Sequence, residues 1–248
     1  PRLANIRLQI AQFEGKKDVI HQLESLIDEI EEPNQKLRIQ LSVLSRSIDD
    51  LTSNSNEEEF RRIHRLLEHV ELPDNEKERQ RILTTIVVMR HSLAIEQGDF
   101  SAANFLLEQL RGIALKDDPL IQYLSIKTEL KSLGTRSADG ALTLRNAERV
   151  ATQLKHPLYK VSLLLLVCEK LAQTQPHRAQ LNHEQIDIQF IETMDAPSAH
   201  RIVAKWWEVK SMVDEQNAML ALREAILRYR SVGCPNRARE LSNRLHSL

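Results

Sequence analysis

Gln97-Gly98-Asp99-Phe100-Ser101-Ala102-Ala103-Asn104-Phe105-Leu106-Leu107-Glu108-Gln109-Leu110 decides how this chain is read. A helix-like run ends at Gly98, and another begins almost at once. The second run carries Phe100, Ala103, Leu107 and Leu110 on one side, the i, i+3, i+7 stripe of a buried helix face. Forty residues upstream the segment Glu57–Val70 repeats the pattern: Phe60 falls on Phe100, Ile63 on Ala103, Leu66-Leu67-Glu68 on Leu106-Leu107-Glu108, and Val70 on Leu110. A supersecondary unit returning at this period is the mark of a helical solenoid, whose units bury their apolar faces against one another. Such arrays generally act by binding other proteins.

The pattern spreads outward from there. Leu37, Leu41, Leu44 and Ile48 overlie Ile82, Ile86, Met89 and Leu93 at an offset of 45, so the earlier copy needs a loop about five residues longer, which a solenoid tolerates. Leu144, Ala147, Ala151 and Leu154 repeat the Phe100–Leu110 stripe at an offset of 44. Two N-terminal stripes precede these, one over residues 3–10 and one over residues 19–30. Asn56 is placed to cap a helix whose first turn holds Glu57, Glu58 and Glu59. Asp117-Asp118-Pro119 opens another helix, which stops near Gly134. Leu158–Gln173 is apolar enough to be central. Residues 175–183 read as a loop, followed by a short helix over 184–194. Asp195-Ala196-Pro197 starts a long helix, a further one ends at Gly233, and Ala238, Leu241 and Leu245 mark the last. The expectation is an all-α chain of about twelve helices, stacked as antiparallel pairs in a single domain over residues 1–248, with soft boundaries near 73 or 175–183.

Composition agrees with that class. The 248 residues include only six Gly and 4% aromatics, and good helix formers dominate. The net charge of −1 hides a polarity: Glu14–Glu78 balances to −8 and Ala199–Leu248 to +4, enough to guide a partner. Two cysteines, one in an apolar run and one in a turn, make no disulfide framework and no metal spacing, which favours a reducing, cytoplasmic setting. No run is long enough to span a bilayer. The chain starts at Pro1 without a Met, so we expect a piece of a longer protein.

Arg90–Leu110 resembles a tetratricopeptide repeat. That family has a Gly-Asp-Tyr/Phe turn, a small residue early in its second helix and an apolar residue seven positions later; Gly98, Asp99, Phe100, Ala103 and Leu110 match. His91 stands where the family places a small residue in its first helix, and Pro119 comes several residues late for the closing proline. The style of the chain is also similar to the helical-repeat domains of maltose-regulator-type transcriptional activators. The tetratricopeptide resemblance implies a right-handed superhelix whose concave wall is built from the first helix of each pair. Thr85, Val88, Ser92, Ile95 and Glu96 would line it, with Gln40, Val43 and Ser47 in comparable places one pair earlier.

Catalytic patterns are missing from the sequence. No phosphate-cradling glycine loop and no Gly-x-Ser-x-Gly occurs. His183-Glu184 begins like a zinc-protease helix without its second His. His64 and Glu68 share a helix face but lack further ligands in reach. We therefore expect no enzyme, no metal and no cofactor. Trp206 and Trp207 are possible aromatic anchors for a partner. Arg223, Arg228, Arg230, Arg237, Arg239 and Arg244 cluster at the C-terminal end, but no reading-helix motif accompanies them, which argues against direct nucleic-acid binding. The functional expectation is a scaffold or adaptor that binds a partner protein or peptide on the concave face. The alternative is a ligand- or partner-sensing regulatory domain of a larger transcriptional or signalling protein.

Overall fold

Proline punctuates this chain. Six of its eight prolines sit in the first turn of a helix, where a missing N–H costs nothing and a fixed φ suits the helix. The computed structural model describes Ile27, Ile30 and residues 32–52, 54–113, 118–133 and 138–247. Both N-terminal stripes, Asp117 and Gly134 therefore fall outside the described residues, apart from Ile27 and Ile30. The described residues form twelve α-helices and no strand. These are α1 Pro33–Asp49, α2 Glu57–Glu68, α3 Glu76–Gln97, α4 Phe100–Ile113, α5 Pro119–Ser132, α6 Ala138–Gln153, α7 Pro157–Ala172, α8 Pro176–Glu184, α9 Ile188–Glu192, α10 Pro197–Val213, α11 Ala218–Ser231 and α12 Pro235–His246. A single 3₁₀ turn, Glu215–Asn217, joins α10 to α11.

Capping sets the boundaries. The Asn56 side chain accepts the Glu59 N–H at 3.0 Å while the Glu59 carboxylate accepts the Asn56 N–H at 3.2 Å, a reciprocal capping box on α2. Asn75 and Asp118 cap α3 and α5 in the same sense. The Gly98-Asp99 pair both ends and starts a helix. Gly98 takes φ +76°, open to glycine and strained for other residues, which lets its N–H reach the Ile95 carbonyl and the Asp99 N–H reach the Ala94 carbonyl. One residue on, the Asp99 carboxylate accepts the Ala102 N–H at 2.9 Å and opens α4.

Residues 175–183 differ from expectation: they are helix rather than loop. Pro176 starts α8, and Ala179 and His183, four apart, give it a buried stripe. The short helix expected over 184–194 shrinks to α9, capped by Asp187.

Each helix packs on its successor along most of the chain, and α1 with α3, α5 with α7, and α7 with α10 also touch. The apolar helix α7 is central, as its composition predicts, meeting α5, α6, α8 and α10 and burying Leu163, Leu165, Val167, Cys168 and Leu171. A fully buried leucine of this kind contributes roughly 1.5–3 kcal/mol over its exposed state. Ala103 is 0% exposed against Ala94 and Ile95, so the α3–α4 junction of the opening motif is closely packed. His91 is buried one turn earlier. The Thr128 hydroxyl donates to the Leu124 carbonyl at 2.9 Å, so it accepts from His91 Nε2–H at 3.0 Å. Burial and Lys127 push the His91 imidazole down to about 4, which leaves it neutral near pH 7. No helix among the described residues is long and apolar enough to cross a membrane.

Candidate functional site

Five helices, α1, α3, α5, α7 and α10, turn a face into one hollow of about 820 Å³, and Tyr229 of α11 and Arg237 of α12 complete its lining. Helical spacing places the lining groups. On α5, Tyr123, Lys127 and Lys131 follow one another at four-residue intervals; on α10, Ser198, Arg201 and Lys205 do nearly the same.

One wall is aromatic. Tyr123 and Tyr159 stack with ring centroids 5.0 Å apart at 12°, and His156 also stacks with Tyr159, at 4.1 Å. The Tyr159 phenol is held neutral, raised by burial and by Asp118 and Tyr123.

Apolar side chains such as Val88, Met89, Leu165 and Ile202 also line the hollow, and its charged groups are mostly paired. Glu96 meets Lys131 at 3.7 Å, Asp49 meets Arg201 at 2.6 Å, and Glu169 meets Lys205 at 3.0 Å. Burial opposes the charge on Glu169, but Lys205 outweighs it and lowers the pKa. Lys127 differs: among the described residues no acceptor lies within hydrogen-bond or ion-pair distance of its ammonium. Burial works against its charge, yet the fields of Tyr123, Glu96 and Asp49 raise its pKa above the usual lysine range.

The last helices meet the first described one at the edge of this hollow. Arg201 binds Asp49 and also donates to the Ser45 hydroxyl at 3.3 Å. The Arg237 N–H, in the first turn of α12, donates to Asp50 Oδ1 at 3.0 Å. Asp50 thus caps a helix 187 positions away in sequence, one whose own N-cap residue, Cys234, offers no side-chain bond. Burial raises the Asp50 carboxyl to about 7 against the two backbone donors of Arg237 and Asn236. Behind this seam Glu208 lies 1% exposed and accepts from Lys205 at 2.9 Å, Arg237 at 2.7 Å and the Tyr229 hydroxyl at 2.7 Å. Burial alone would raise its carboxyl; Lys205 and Arg237 bring it down to about 2.

The residues singled out from sequence divide cleanly. Thr85, Val88, Ser92 and Glu96 line the hollow. Ile95 is buried against Ala94 and Ala103. Val43 is buried with Ile27 and Ile39, Ser47 is half-buried away from the hollow, and Gln40 lines a smaller recess of about 220 Å³ beside Pro33 and Pro73. Ser45, Ile48 and Asp49 supply the α1 wall instead, because Ile27 packs on the face of α1 that holds Val43. Trp206 and Trp207 pack edge to face at 4.9 Å beneath Lys210, and neither lines the hollow. His183 stacks on Trp206 and bonds its carbonyl at 3.1 Å, while the Trp206 indole N–H is buried without a partner. Two of the six clustered arginines are held in ion pairs: Arg237 with Glu208 and Glu240, Arg228 with Glu192. His64 turns to Gln97 rather than to Glu68. Both cysteines are buried and free, their thiols pushed up to about 12 by burial, which keeps them protonated and inert. No cluster of three metal-binding side chains occurs among the described residues.

Tyr123, Lys127, Tyr159, Arg201 and Lys205 were not picked out from sequence. A usable signal was present: lysines and tyrosines recurring at i, i+4 within otherwise apolar helices. Comparison with family models, with curated proteins and with solved structures found no match.

Proposed function

We propose that this chain is a tetratricopeptide-like solenoid serving as a sensory or regulatory module, in which antiparallel helix pairs curve round the hollow and hold a compact ligand there. The observation that carries the reading is the seam joining α1 to α10 and α12 through Arg201–Asp49 and Arg237–Asp50. On this reading the seam draws the first helices of successive pairs round the hollow. A hollow of about 820 Å³ is within the range of roughly 300–1,000 Å³ that small ligands occupy. The contacts of α1 with α3 and of α5 with α7, each passing over one helix, support a stacked array.

Native mass spectrometry of protein purified gently from its source cell tests this. The expected result is a small-molecule mass excess that Ser162→Trp, filling the hollow, removes without lowering the melting temperature. A bare protein that gains no mass in cell extract refutes it.

A second reading, a scaffold for a protein partner, draws on a different observation. Phe105, Leu142, Phe190 and Leu220 are more than half exposed on α4, α6, α9 and α11, and none of them lines the hollow. Co-purification of a protein that Phe105→Ser and Leu142→Ser release would favour it.

A further inference from the structure

We infer that the occupant of the hollow is a compact organic monocarboxylate with a flat body, its carboxylate seated on Lys127 and its body against the Tyr123–Tyr159 stack. The inference rests on the reading of the hollow as a ligand site and adds the chemical class.

The pairing pattern selects the anion. Lys131, Arg201, Lys205 and Arg237 line the hollow and each has a carboxylate within 4 Å. Lys127 lines it too, with three ammonium donors and no acceptor among the described residues. An ammonium that lines the hollow with no protein acceptor among the described residues has its donors free for charge-assisted hydrogen bonds to a bound carboxylate. Asp49 and Glu96 lie near enough to hold Lys127 charged, yet each already serves another cation. Their negative charge also limits what else can enter. A dianion such as a phosphate monoester meets stronger repulsion from Asp49, Glu96 and Glu169 than a single carboxylate does.

Helix geometry then sets the body of the ligand. Tyr123 stands one turn before Lys127 on the same face of α5, and both line the hollow. Tyr159 backs the Tyr123 ring, and His156 in turn stacks on Tyr159, so this wall is a block of stacked rings. A flat group attached to the carboxylate packs against the edge of this block or the ring face that Tyr159 leaves uncovered.

The chain has three tyrosines, Tyr123, Tyr159 and Tyr229, and all three line the hollow. Ring-¹³C-tyrosine labelling therefore gives three NMR reporters of this one site. The probes are benzoate and its neutral isostere benzamide. Benzoate is expected to shift the Tyr123 and Tyr159 signals at concentrations where benzamide leaves them in place. Lys127→Met should weaken the benzoate response at least tenfold, Lys127→Arg should retain it, and Lys77→Met on the exposed start of α3 should not change it. Three dispersed tyrosine signals in each variant show that the fold is kept. Equal responses to benzoate and benzamide, or an unchanged response in Lys127→Met, overturn the carboxylate assignment and leave the hollow as a ligand site. No response to either probe at any tyrosine overturns the assignment and counts against the hollow reading as well.

Discussion

Glu208 is the group on which the C-terminal half of the molecule depends most, and its loss is open to measurement. It accepts from Lys205 on its own helix, from Tyr229 on α11 and from Arg237 on α12, while Lys205 also reaches Glu169 on α7. At 1% exposure, water screens none of this. Glu208→Gln keeps the shape but removes the charge and turns an N–H₂ toward donors. Lys205 and Arg237 are then left with their charges partly uncompensated, a defect that costs about 3–5 kcal/mol when a buried pair is broken. The titration of the group leads to the same size. A carboxyl moved from its ordinary 4.5 down to about 2 holds about 3 kcal/mol of folding free energy, at about 1.4 kcal/mol per pH unit. Because the folded value is the lower one, that stability is present above pH 4.5 and disappears as pH falls toward 2. Urea denaturation at pH 7 and at pH 3 checks both statements. Glu208→Gln should lose about 3 kcal/mol at pH 7 and much less at pH 3, whereas Tyr229→Phe should lose about 1.5–3 kcal/mol, the value of a hydrogen bond to a charged group. A Glu208→Gln protein within 0.5 kcal/mol of the parent at pH 7 (roughly the limit of a neutral surface change), or one with an unaltered pH profile, would refute the argument.

Three further outcomes are expected. Ala103→Leu overpacks the α3–α4 junction and should cost roughly 1–3 kcal/mol by chemical denaturation; no loss would mean that Ala103 does not sit at a close helix contact. His91 is held neutral with a folded value of about 4 against an ordinary 6.5, so it contributes stability above pH 6.5 that is lost as pH falls toward 4. His91→Leu should flatten the urea midpoint across that window, and a parent-like slope would contradict the assignment. Asp50 runs the opposite way: its folded value is raised from 3.8 to about 7, so a penalty for the charged form builds as pH climbs through that range. Asp50→Asn, which keeps an oxygen for the Arg237 N–H, should melt higher than the parent at pH 8 and match it at pH 3.5. A variant that melts lower at pH 8 would show that the carboxylate charge itself is needed at the α12 terminus.

The sequence by itself determined the local order of this protein. Apolar spacing marked the helices, proline and Asn or Asp marked their starts, and Gly98-Asp99-Phe100 set a helix–helix junction to the residue, because these preferences act over one turn of chain. It failed at residues 175–183, where polar residues around Ala179 and His183 hid a helix whose buried stripe is only two residues wide. Of the residues named from sequence, Thr85, Val88, Ser92 and Glu96 line the hollow, beside Thr84, Met89, Ser45, Ile48 and Asp49, which were not named. Which face of α1 looks inward depends on what covers the opposite face, and Ile27 supplies that cover. Only the tertiary structure decided the rest. The bonds from Asp49 and Asp50 to Arg201 and Arg237 join residues more than 150 positions apart. They depend on how all the intervening helices pack, and no periodicity within a single helix records that. The unpaired state of Lys127 has the same origin. Its neighbours Glu96 and Asp49 come from other helices, and each is already held by a cation that only the folded chain brings near.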